Sequence, residues 1–334
     1  MSELVTIHRH LIEAQAAHPE ASGELSSLLG SIALAAKIIS RNVNKAGLLN
    51  VLGGTGDVNV QGERVMKLDD LANETLKACL RYNGLVAGIA TEEDDDIVVL
   101  PSGPASGKYV VFYDPLDGSS NIDANIPIGT IWGIYQRTTP AHDGPVTAAD
   151  FMQPGSALVA SGYAIYGSST MFVYAAGGVV SGFTLDPEYG EFILSHPNIE
   201  TPDQCKCYSM NERNSEDWGP GPTALLAAVK STSPRYQGST ARYVGSLVAD
   251  VHRNLLYGGI FVYPEDRKSK GGKLRLLYEA IPLAYVVEAA GGTASTGRER
   301  ILDMVPTHIH QRVPLCIGNS AEVELYERHS TEPT

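Results

Sequence analysis

Residues 114–121, which read Asp-Pro-Leu-Asp-Gly-Ser-Ser-Asn, constrain the fold of this chain more than any other stretch. They follow residues 108–113, a run of β-branched and aromatic residues that predicts a buried strand. Pro115 holds Asp114 extended, Gly118 permits a sharp turn, and the residues after it are types that cap helices. Such a corner can present carboxylates to a divalent cation beside backbone amides that suit a phosphate. The alternative is a capped strand-to-helix turn with two solvated aspartates.

A second predicted strand, residues 85–90, is also followed by carboxylates, because the acidic run 92–96 comes directly after Thr91. Runs of acids usually form a solvated face. Successive side chains of a strand point in opposite directions, however, so Glu92 and Glu93 can have different roles. We therefore expect the two strands to be neighbours that share one acidic site.

The composition is that of an ordinary globular protein, with 43% hydrophobic and 19% charged residues in 334. The net charge of −13 and the lack of a basic stripe argue against nucleic acid as a partner. No run of about 18 apolar residues and no secretory leader is visible, so we expect no membrane partner and a cytoplasmic location. Four cysteines are too few for a disulfide framework.

Helices and strands alternate in both halves of the chain, which predicts an α/β fold. We expect helices at residues 4–17, 22–39, 67–82, 223–230, 245–256 and 275–290. We expect strands at residues 85–90, 108–113, 129–135, 206–210, 259–263 and 314–317, and further strands within 163–176 and 179–194.

Three details of this pattern are specific enough to be tested. Ser22 is the expected N-cap of the second helix, and Leu34 and Ile38 belong to its predicted apolar stripe. The glycine-rich residues 47–62 have no core pattern and are expected to form a mobile loop. The polar residues 195–204 contain two prolines and mark the expected domain boundary.

The motif at 114–120 resembles the metal motif of the lithium-sensitive sugar and inositol phosphatases, and residues 112–123 resemble the class I fructose-1,6-bisphosphatase family in particular. Further blocks that resemble this family follow in order at residues 67–69, 92–94, 128–135, 241–245, 258–264 and 273–279. The resemblance covers residues 22–329. It implies a layered α-β-α-β-α fold with two domains, 1–197 around the metal site and 198–334 for substrate binding.

The resemblance also assigns roles to a set of carboxylates. All-oxygen ligation suits Mg²⁺ or Mn²⁺ better than zinc, and two to three ions per subunit are implied. The implied metal ligands are Glu63, Glu92, Asp114, the Leu116 carbonyl, Asp117 and Glu279. Glu93 would assist deprotonation of the attacking water, with Asp69 paired to it, in a direct in-line transfer without a phosphoenzyme. Asp69 also lies near a helix start, where a purely structural role is equally consistent with the sequence.

Implied substrate contacts occupy both halves of the chain. Gly118, Ser119 and Ser120 would hold the transferred phosphate, and the remaining contacts would be Asn211, Arg242, Tyr243, Tyr263, Lys273 and Arg275. Arg242 matches an arginine that reaches into the partner subunit's site, so a homo-oligomer, a tetramer built as a dimer of dimers, is implied. Arg213 and Asn214 depart from many animal enzymes, which have Gly and a phosphate-binding Tyr at these positions.

An effector site for AMP is also implied by resemblance to animal enzymes. Its residues would be Ser22, Gly23, Glu24, Ser26, Lys108 and Tyr109. A helix N-terminus is a suitable phosphate site, although a well-capped helix would explain the same residues. Gln136 stands where those enzymes have an arginine, so AMP inhibition should be weak.

The expected function is metal-dependent hydrolysis of the 1-phosphate of fructose 1,6-bisphosphate, a step of gluconeogenesis, in which the sugar bisphosphate is the small-molecule partner. Sedoheptulose-1,7-bisphosphatase, or dual activity, is the nearest alternative. A catalytically silent paralogue that binds metal or nucleotide is the alternative outside enzymes. The intact carboxylate set disfavours that last alternative.

Overall fold

The computed structural model describes residues 4–16, 21–48, 53–58, 64–101, 107–140, 144–267 and 269–331. Its α-helices are α1 Ile7–Ala16, α2 Glu24–Val43, α3 Lys67–Arg81, α4 Pro220–Val229, α5 Leu247–Tyr257, α6 Ile281–Ala289 and α7 Ser320–Thr331. No helix within these ranges is both long enough and apolar enough to cross a membrane.

The strands of the N-terminal half are β1 Gly54–Val58, β2 Arg64–Met66, β3 Val86–Thr91, β4 Val98–Val99, β5 Tyr109–Asp117, β6 Ile128–Gln136, β7 Leu158–Tyr166, β8 Thr170–Ala176, β9 Val179–Asp186 and β10 Glu191–His196. Those of the C-terminal half are β11 Cys207–Met210, β12 Thr240–Ala241, β13 Gly259–Tyr263, β14 Leu274–Arg275, β15 Thr293–Ser295, β16 Arg312–Val313 and β17 Leu315–Gly318.

The described strands build two main sheets and two short ribbons. The first sheet has the order β10-β9-β8-β7-β6-β5-β3-β4 and is antiparallel except for the parallel pair β3–β5. The second has the order β12-β11-β13-β17-β15, with β11 parallel to both of its neighbours. The ribbons pair β1 with β2 and β14 with β16.

Apolar side chains divide the molecule into five layers. Strand β5 shows why: Val110 and Phe112 face a core shared with α5, α6 and the second sheet, whereas Val111 and Tyr113 face a core shared with α1, α2 and α3. A third core lies between the second sheet and α4 and α7. The order helix–sheet–helix–sheet–helix is the α-β-α-β-α arrangement expected from the resemblance. The middle helix layer, α5 and α6, lies between the sheets.

The N-terminal half corrects three of the sequence expectations. Gly23, with φ 82°, and not Ser22, occupies the N-cap of α2, and the Ser22 hydroxyl donates instead to Glu24. Leu34 and Ile38 are 51% and 39% exposed, because the apolar stripe of α2 is wider than the one face that packs on the sheet. Part of the expected loop 47–62 is a ribbon strand, β1, while 49–52 and 59–62 lie outside the described residues.

Strand and helix bounds elsewhere lie close to those predicted, with one difference that affects the site. The expected helix 275–290 begins with β14 and a five-residue π turn, Leu276–Ala280, before α6. The C-terminal helix α7 was not predicted. The four cysteines are free thiols, as expected, and Cys205, Cys207 and Cys316 are buried.

Candidate active site

The motif at 114–121 lies at the end of β5, the sixth of the eight strands of the first sheet. Strand β5 continues through Asp114 to Asp117, so both carboxylates belong to the strand and are buried. Gly118 then turns with φ 80° and caps the 3-10 helix Ser119–Ala124. A Cβ on Gly118 would lie 2.8 Å from the Cβ of Ser246, so glycine is required here for both its backbone angle and its size.

Strand β3 brings a second acidic end to the same edge of the sheet. It runs parallel to β5, with Thr91 opposite Tyr113. The next residues along the two strands are therefore Glu92, just after β3, and Asp114, within β5. Glu92 is buried and Glu93 is half-buried, in keeping with side chains that point in opposite directions. The expectation that the two strands are neighbours is confirmed.

Three buried carboxylates converge at this edge. Oxygen atoms of Asp114, Asp117 and Glu279 all lie within 4.8 Å of one another. Glu279 is supplied by the π turn, and its carboxylate accepts a hydrogen bond from the backbone N–H of Arg275. The π turn therefore brings a residue of the C-terminal half to the end of a strand from the N-terminal half.

Hydrogen bonds hold the two aspartates of this group. Asp114 Oδ1 accepts the N–H of Leu116 at 3.0 Å. Asp117 Oδ2 accepts the N–H of Val248 at 2.8 Å and the hydroxyl of Ser246 at 3.2 Å, at the N-terminus of α5. Asp117 therefore meets the positive end of a helix from the other half of the chain.

The electrostatics of the group favour a cation. Burial, followed by the charges of Glu92, Glu279 and Asp117, raises the pKa of Asp114 well above its ordinary value. Burial is also the main cause that raises the pKa of Asp117 to about 7 and that of Glu279 to about 8. Carboxylates with raised pKa values and only oxygen donors are the ligand chemistry of Mg²⁺ and Mn²⁺, so the residues present fit such an ion.

Glu92 has a partner of its own in this structure. The guanidinium of Arg275 lies 2.6 Å from its carboxylate. Glu92 therefore lines the same cavity as the three converging carboxylates but faces a cation of the chain. Arg275 pairs across the β14–β16 ribbon with Arg312, which places a second arginine on the cavity wall.

Asp69 and Glu93 form a second acidic pair, and neither residue lines this cavity. Asp69 lies in the first turn of α3, and its Oδ2 accepts the N–H of Met66 at 3.1 Å, as a helix-capping residue would. Burial, then the charge of Glu93, raises the pKa of Asp69 to about 8. Asp69 is thus both a cap and a carboxyl that holds a proton at neutral pH, so its structural and chemical roles are compatible.

A cavity of about 220 Å³ connects the acidic edge to a contrasting surface. Gly118, Ser119 and Ser120 line it beside the carboxylates, and Leu116 forms part of the same wall. Its other lining residues include Tyr243, Tyr263 and Lys273, whose Nζ lies 5.7 Å from the centre of the Tyr263 ring. One cavity therefore joins an anionic end to an end with a lysine and two phenol groups.

Other predicted site residues lie apart from this cavity. Asn211 caps the 3-10 helix Glu212–Asp217 and, among the described residues, is not part of the cavity wall. Arg242 is exposed and donates a hydrogen bond to its own neighbour, the carbonyl of Ala241. Glu63 lies outside the described residues. Sequence reasoning missed five wall residues, Gly245, Leu247, Phe261, Leu274 and Arg312.

The residues expected to bind AMP surround a different cavity, of about 520 Å³. Ser22, Gly23, Glu24, Ser26, Lys108 and Tyr109 all line it, together with side chains of α1. Glu24 accepts hydrogen bonds from Ser22 at 2.7 Å and from Lys108 at 3.1 Å, so a carboxylate already meets the lysine there. Gln136 pairs with Tyr109 across β5 and β6 and is exposed.

Comparison with known proteins assigns both halves of the chain. A family model described as fructose-1-6-bisphosphatase, N-terminal domain, matches residues 5–197, and one described as its C-terminal domain matches residues 201–331. The chain belongs to the fructose-1,6-bisphosphatase family. This confirms the resemblance drawn from the motifs.

Individual members of the family are similar over nearly the whole chain. A fructose-1,6-bisphosphatase class 1 of Chloroherpeton thalassium is 52% identical over 328 residues, which are 98% of this chain and 93% of that protein. One of Leptospira biflexa is 50% identical over 327 residues, 96% of this chain and 95% of that protein.

Solved structures agree with the layered fold. The holo form of Leishmania major fructose-1,6-bisphosphatase is 40% identical, with a TM-score of 0.91, and covers 99% of this chain and 100% of that chain. The apo form of the same enzyme has a TM-score of 0.86 at 38% identity with the same coverage. The α/β fold expected from the sequence is therefore confirmed.

Proposed function

We propose that the protein hydrolyses the 1-phosphate of D-fructose 1,6-bisphosphate to fructose 6-phosphate and phosphate. Membership of the family supports the reaction class. The observation that carries the proposal is the cavity with two unlike ends, one lined by Asp114, Asp117 and Glu279 and the other by Tyr243 and Lys273. A substrate with a phosphate at each end of a short sugar matches this separation of roles.

We also propose that the carboxylates at the acidic end of the cavity bind a divalent cation. Asp114, Asp117 and Glu279 would hold Mg²⁺ or Mn²⁺, with Glu92, the Leu116 carbonyl and Glu63 as further ligands for a total of two to three ions per subunit. The ion, when bound, supplies a Lewis acid for the phosphoryl oxygens and lowers the pKa of water. The support is the chemistry of the donor set: buried oxygen ligands whose pKa values are raised chiefly by burial and further by neighbouring carboxylates.

The chain's own groups would act on the proton and on the two phosphates. Glu93 would accept a proton from the attacking water, and Asp69 beside it, whose pKa is about 8, would share that proton. Gly118, Ser119 and Ser120 would hold the transferred phosphate at the start of a helical turn. The distal phosphate would be held by Tyr243, Tyr263 and Lys273, with Arg275, Asn211 and the partner subunit's Arg242 as additional contacts.

Assembly and regulation complete the proposal. We infer a homotetramer in the cytoplasm, with the chain divided into domains 1–197 and 198–334.

AMP would bind in the cavity between α1 and α2, where Lys108 and the N-terminus of the 20-residue helix α2 offer donors to a phosphate. Weak binding is expected, because Glu24 competes for Lys108 and Gln136 offers no positive charge.

A phosphate-release assay tests the function directly. Fructose 1,6-bisphosphate, sedoheptulose 1,7-bisphosphate and an inositol monophosphate would be compared with Mg²⁺ and after chelation. We expect Mg²⁺-dependent turnover, fastest with the fructose bisphosphate. Asp114→Asn removes one charge with almost no change in volume and should abolish turnover, whereas Asp186→Asn, at the end of β9, should not. Preference for either other substrate, or turnover by Asp114→Asn, would contradict the proposal.

A further inference from the structure

An ion pair on α5, between the buried Asp250 and the half-buried Arg253, holds the backbone of the segment Arg242–Gly245. Asp250 accepts the N–H of Val244 at 3.0 Å and that of Gly245 at 3.3 Å. Arg253 Nη2 lies 2.5 Å from Asp250 and donates to the carbonyl of Arg242 at 2.8 Å. Two side chains of one helix therefore bind the main chain of Arg242, Val244 and Gly245.

The side chains of the segment are partly exposed, so we expect its main-chain hydrogen bonds to contribute to its position. Residues 242–245 are all exposed, and Tyr243 and Val244 are each 37% exposed. Asp250 is in contrast completely buried, so the pair is anchored in the molecule and the segment is attached to it. Arg253 Nη2 also donates a hydrogen bond to the hydroxyl of Ser209 on β11 at 2.7 Å.

The segment forms one side of the active-site cavity. Tyr243 and Gly245 line the cavity, and the Gly245 carbonyl accepts a hydrogen bond at 3.2 Å from Asn121, which lies just after the phosphate-binding serines. Tyr243 lies near Tyr263, and both line the cavity together with Lys273. The position of Tyr243 is therefore set from behind by Asp250 and Arg253.

The acidic end of the cavity does not depend on this pair in the same way. Asp117 is bound by the N-terminus of α5, and that end of the helix is fixed by the buried side chains Leu247, Val248 and Val251. Weakening the pair should loosen the segment 242–245 while Asp117 and its neighbours stay in place. Asp250 is one of the charges that act on Asp117, so the test substitutes Arg253 and leaves Asp250 in place.

We propose that Asp250 and Arg253 are positioning residues that set the affinity for the substrate's non-reacting phosphate by fixing Tyr243. This inference rests on the proposed function, since it assigns that phosphate to the Tyr243 end of the cavity. Neither residue lines the cavity, so both act through the segment that they hold. Their contribution belongs to substrate binding and appears in KM, with kcat nearly unchanged.

Substitutions of Arg253 test the proposal by kinetics. Arg253→Met should raise KM for fructose 1,6-bisphosphate, and Ki for the product fructose 6-phosphate, by about tenfold, the scale of one lost charge-assisted hydrogen bond. The kcat value should change by less than about threefold. Arg253→Lys keeps one cationic nitrogen with three N–H donors and should raise KM less than Arg253→Met does.

Hydrogen–deuterium exchange tests the same idea without substrate. In Arg253→Met the amides of Val244 and Gly245 should exchange faster than in the wild type, whereas the Val248 amide, bound to Asp117, should keep its rate. Arg235→Met is a matched control, because Arg235 also pairs with a completely buried carboxylate, Glu322, at 2.6 Å. That pair ties α7 to residues outside the cavity wall, so the control should lower stability and leave KM unchanged.

The outcomes separate this inference from the proposed function. An equal rise in KM for Arg235→Met, a fall in kcat with KM unchanged, or unaltered exchange at Val244 and Gly245 would each overturn the positioning role. If the wild type released no phosphate from fructose 1,6-bisphosphate, the proposed function and the assignment of the phosphate would both fail. Faster exchange at the two amides would even then support Arg253 as the residue that holds the segment.

Discussion

The guanidinium of Arg275 lies 2.6 Å from the carboxylate of Glu92, and their side chains are only 8% and 10% exposed. This pair compensates one of the acidic groups on the cavity wall with a cation of the chain. Asp114, Asp117 and Glu279 keep raised pKa values beside it, so their charge is not fully compensated. The stability of the metal-free protein therefore contains an electrostatic cost that depends on pH.

Stability of the metal-free protein should fall as pH rises from 6.5 to 8. The folded-state pKa values of Asp117 and Glu279, about 7 and about 8, exceed the ordinary values of 3.8 and 4.5. The folded state therefore holds more protons than the unfolded state in this window, and the free energy of unfolding decreases with pH. Excess Mg²⁺ should remove the decrease. Denaturant titrations with a chelator and with Mg²⁺ provide the measurement.

The window begins at pH 6.5 because His252 has the opposite effect on stability below that pH. Burial lowers the pKa of His252 to about 4, so stability from this residue is lost as pH falls below 6.5. Glu279→Gln serves as the control, since it removes one titrating group and should flatten the slope above pH 6.5. A metal-free stability that rose up to pH 8 would show that the carboxylates do not titrate as described.

Glu93→Gln should lower kcat by about 10²–10⁴-fold and change KM little, because a general base acts in the transition state. The matched control is Asp96→Asn, in the same acidic run but exposed. Steady-state kinetics with saturating Mg²⁺ separates the two parameters. A raised KM with an unchanged kcat would make Glu93 a binding or structural residue.

AMP should inhibit the wild type weakly, and Gln136→Arg should tighten the inhibition. Residue 136 lies directly across the sheet from Tyr109, so an arginine there can extend toward the cavity that Tyr109 lines. Inhibition constants for AMP would be compared with those of Gln237→Arg, an exposed glutamine in the other half of the chain. Potent inhibition of the wild type would mean that Lys108 and the α2 N-terminus suffice.

Arg242→Ala should raise KM for the bisphosphate, and mixed oligomers with Asp114→Asn should regain activity. Arg242 is exposed and is not part of its own subunit's cavity wall, which agrees with a contact to the partner subunit's substrate. In a mixed oligomer, a subunit with an intact Asp114 can use the partner subunit's Arg242. Activity would be measured in oligomers whose mixed composition has been verified. Lack of rescue there would assign Arg242 to its own subunit.

The acidic edge was predictable because it follows from local rules. Strand polarity and the acids at each strand end were enough to bring Glu92 next to Asp114. Gly118 was recognised as a turn because few other residues tolerate its backbone angle. These features depend on residues that are close in sequence or on a simple parallel pairing of strands.

The remaining wall of the cavity depends on pairings that no local pattern encodes. Arg312 reaches the cavity because β16 pairs with β14, which puts it opposite Arg275 from a distant part of the chain. Asp250 and Arg253 read as ordinary charges on an amphipathic helix, and their contacts with residues 242–245 require the folded loop. Leu34 and Ile38 were predicted to be part of the packed face of α2 and are exposed. Apolar periodicity alone does not tell which part of a wide apolar stripe is covered by the rest of the fold.

The π turn at Leu276–Ala280 makes the number of residues here as important as their identity. A π turn contains one more residue than an α-turn, and each residue of a helix rotates the chain by about 100°. Loss of any single residue between 276 and 280 would therefore turn Arg275 or Glu279 away from the cavity, even with every remaining side chain unchanged. We expect a deletion here to be as damaging as the loss of Glu279 itself, so that the length of the stretch acts as a constraint separate from its chemistry.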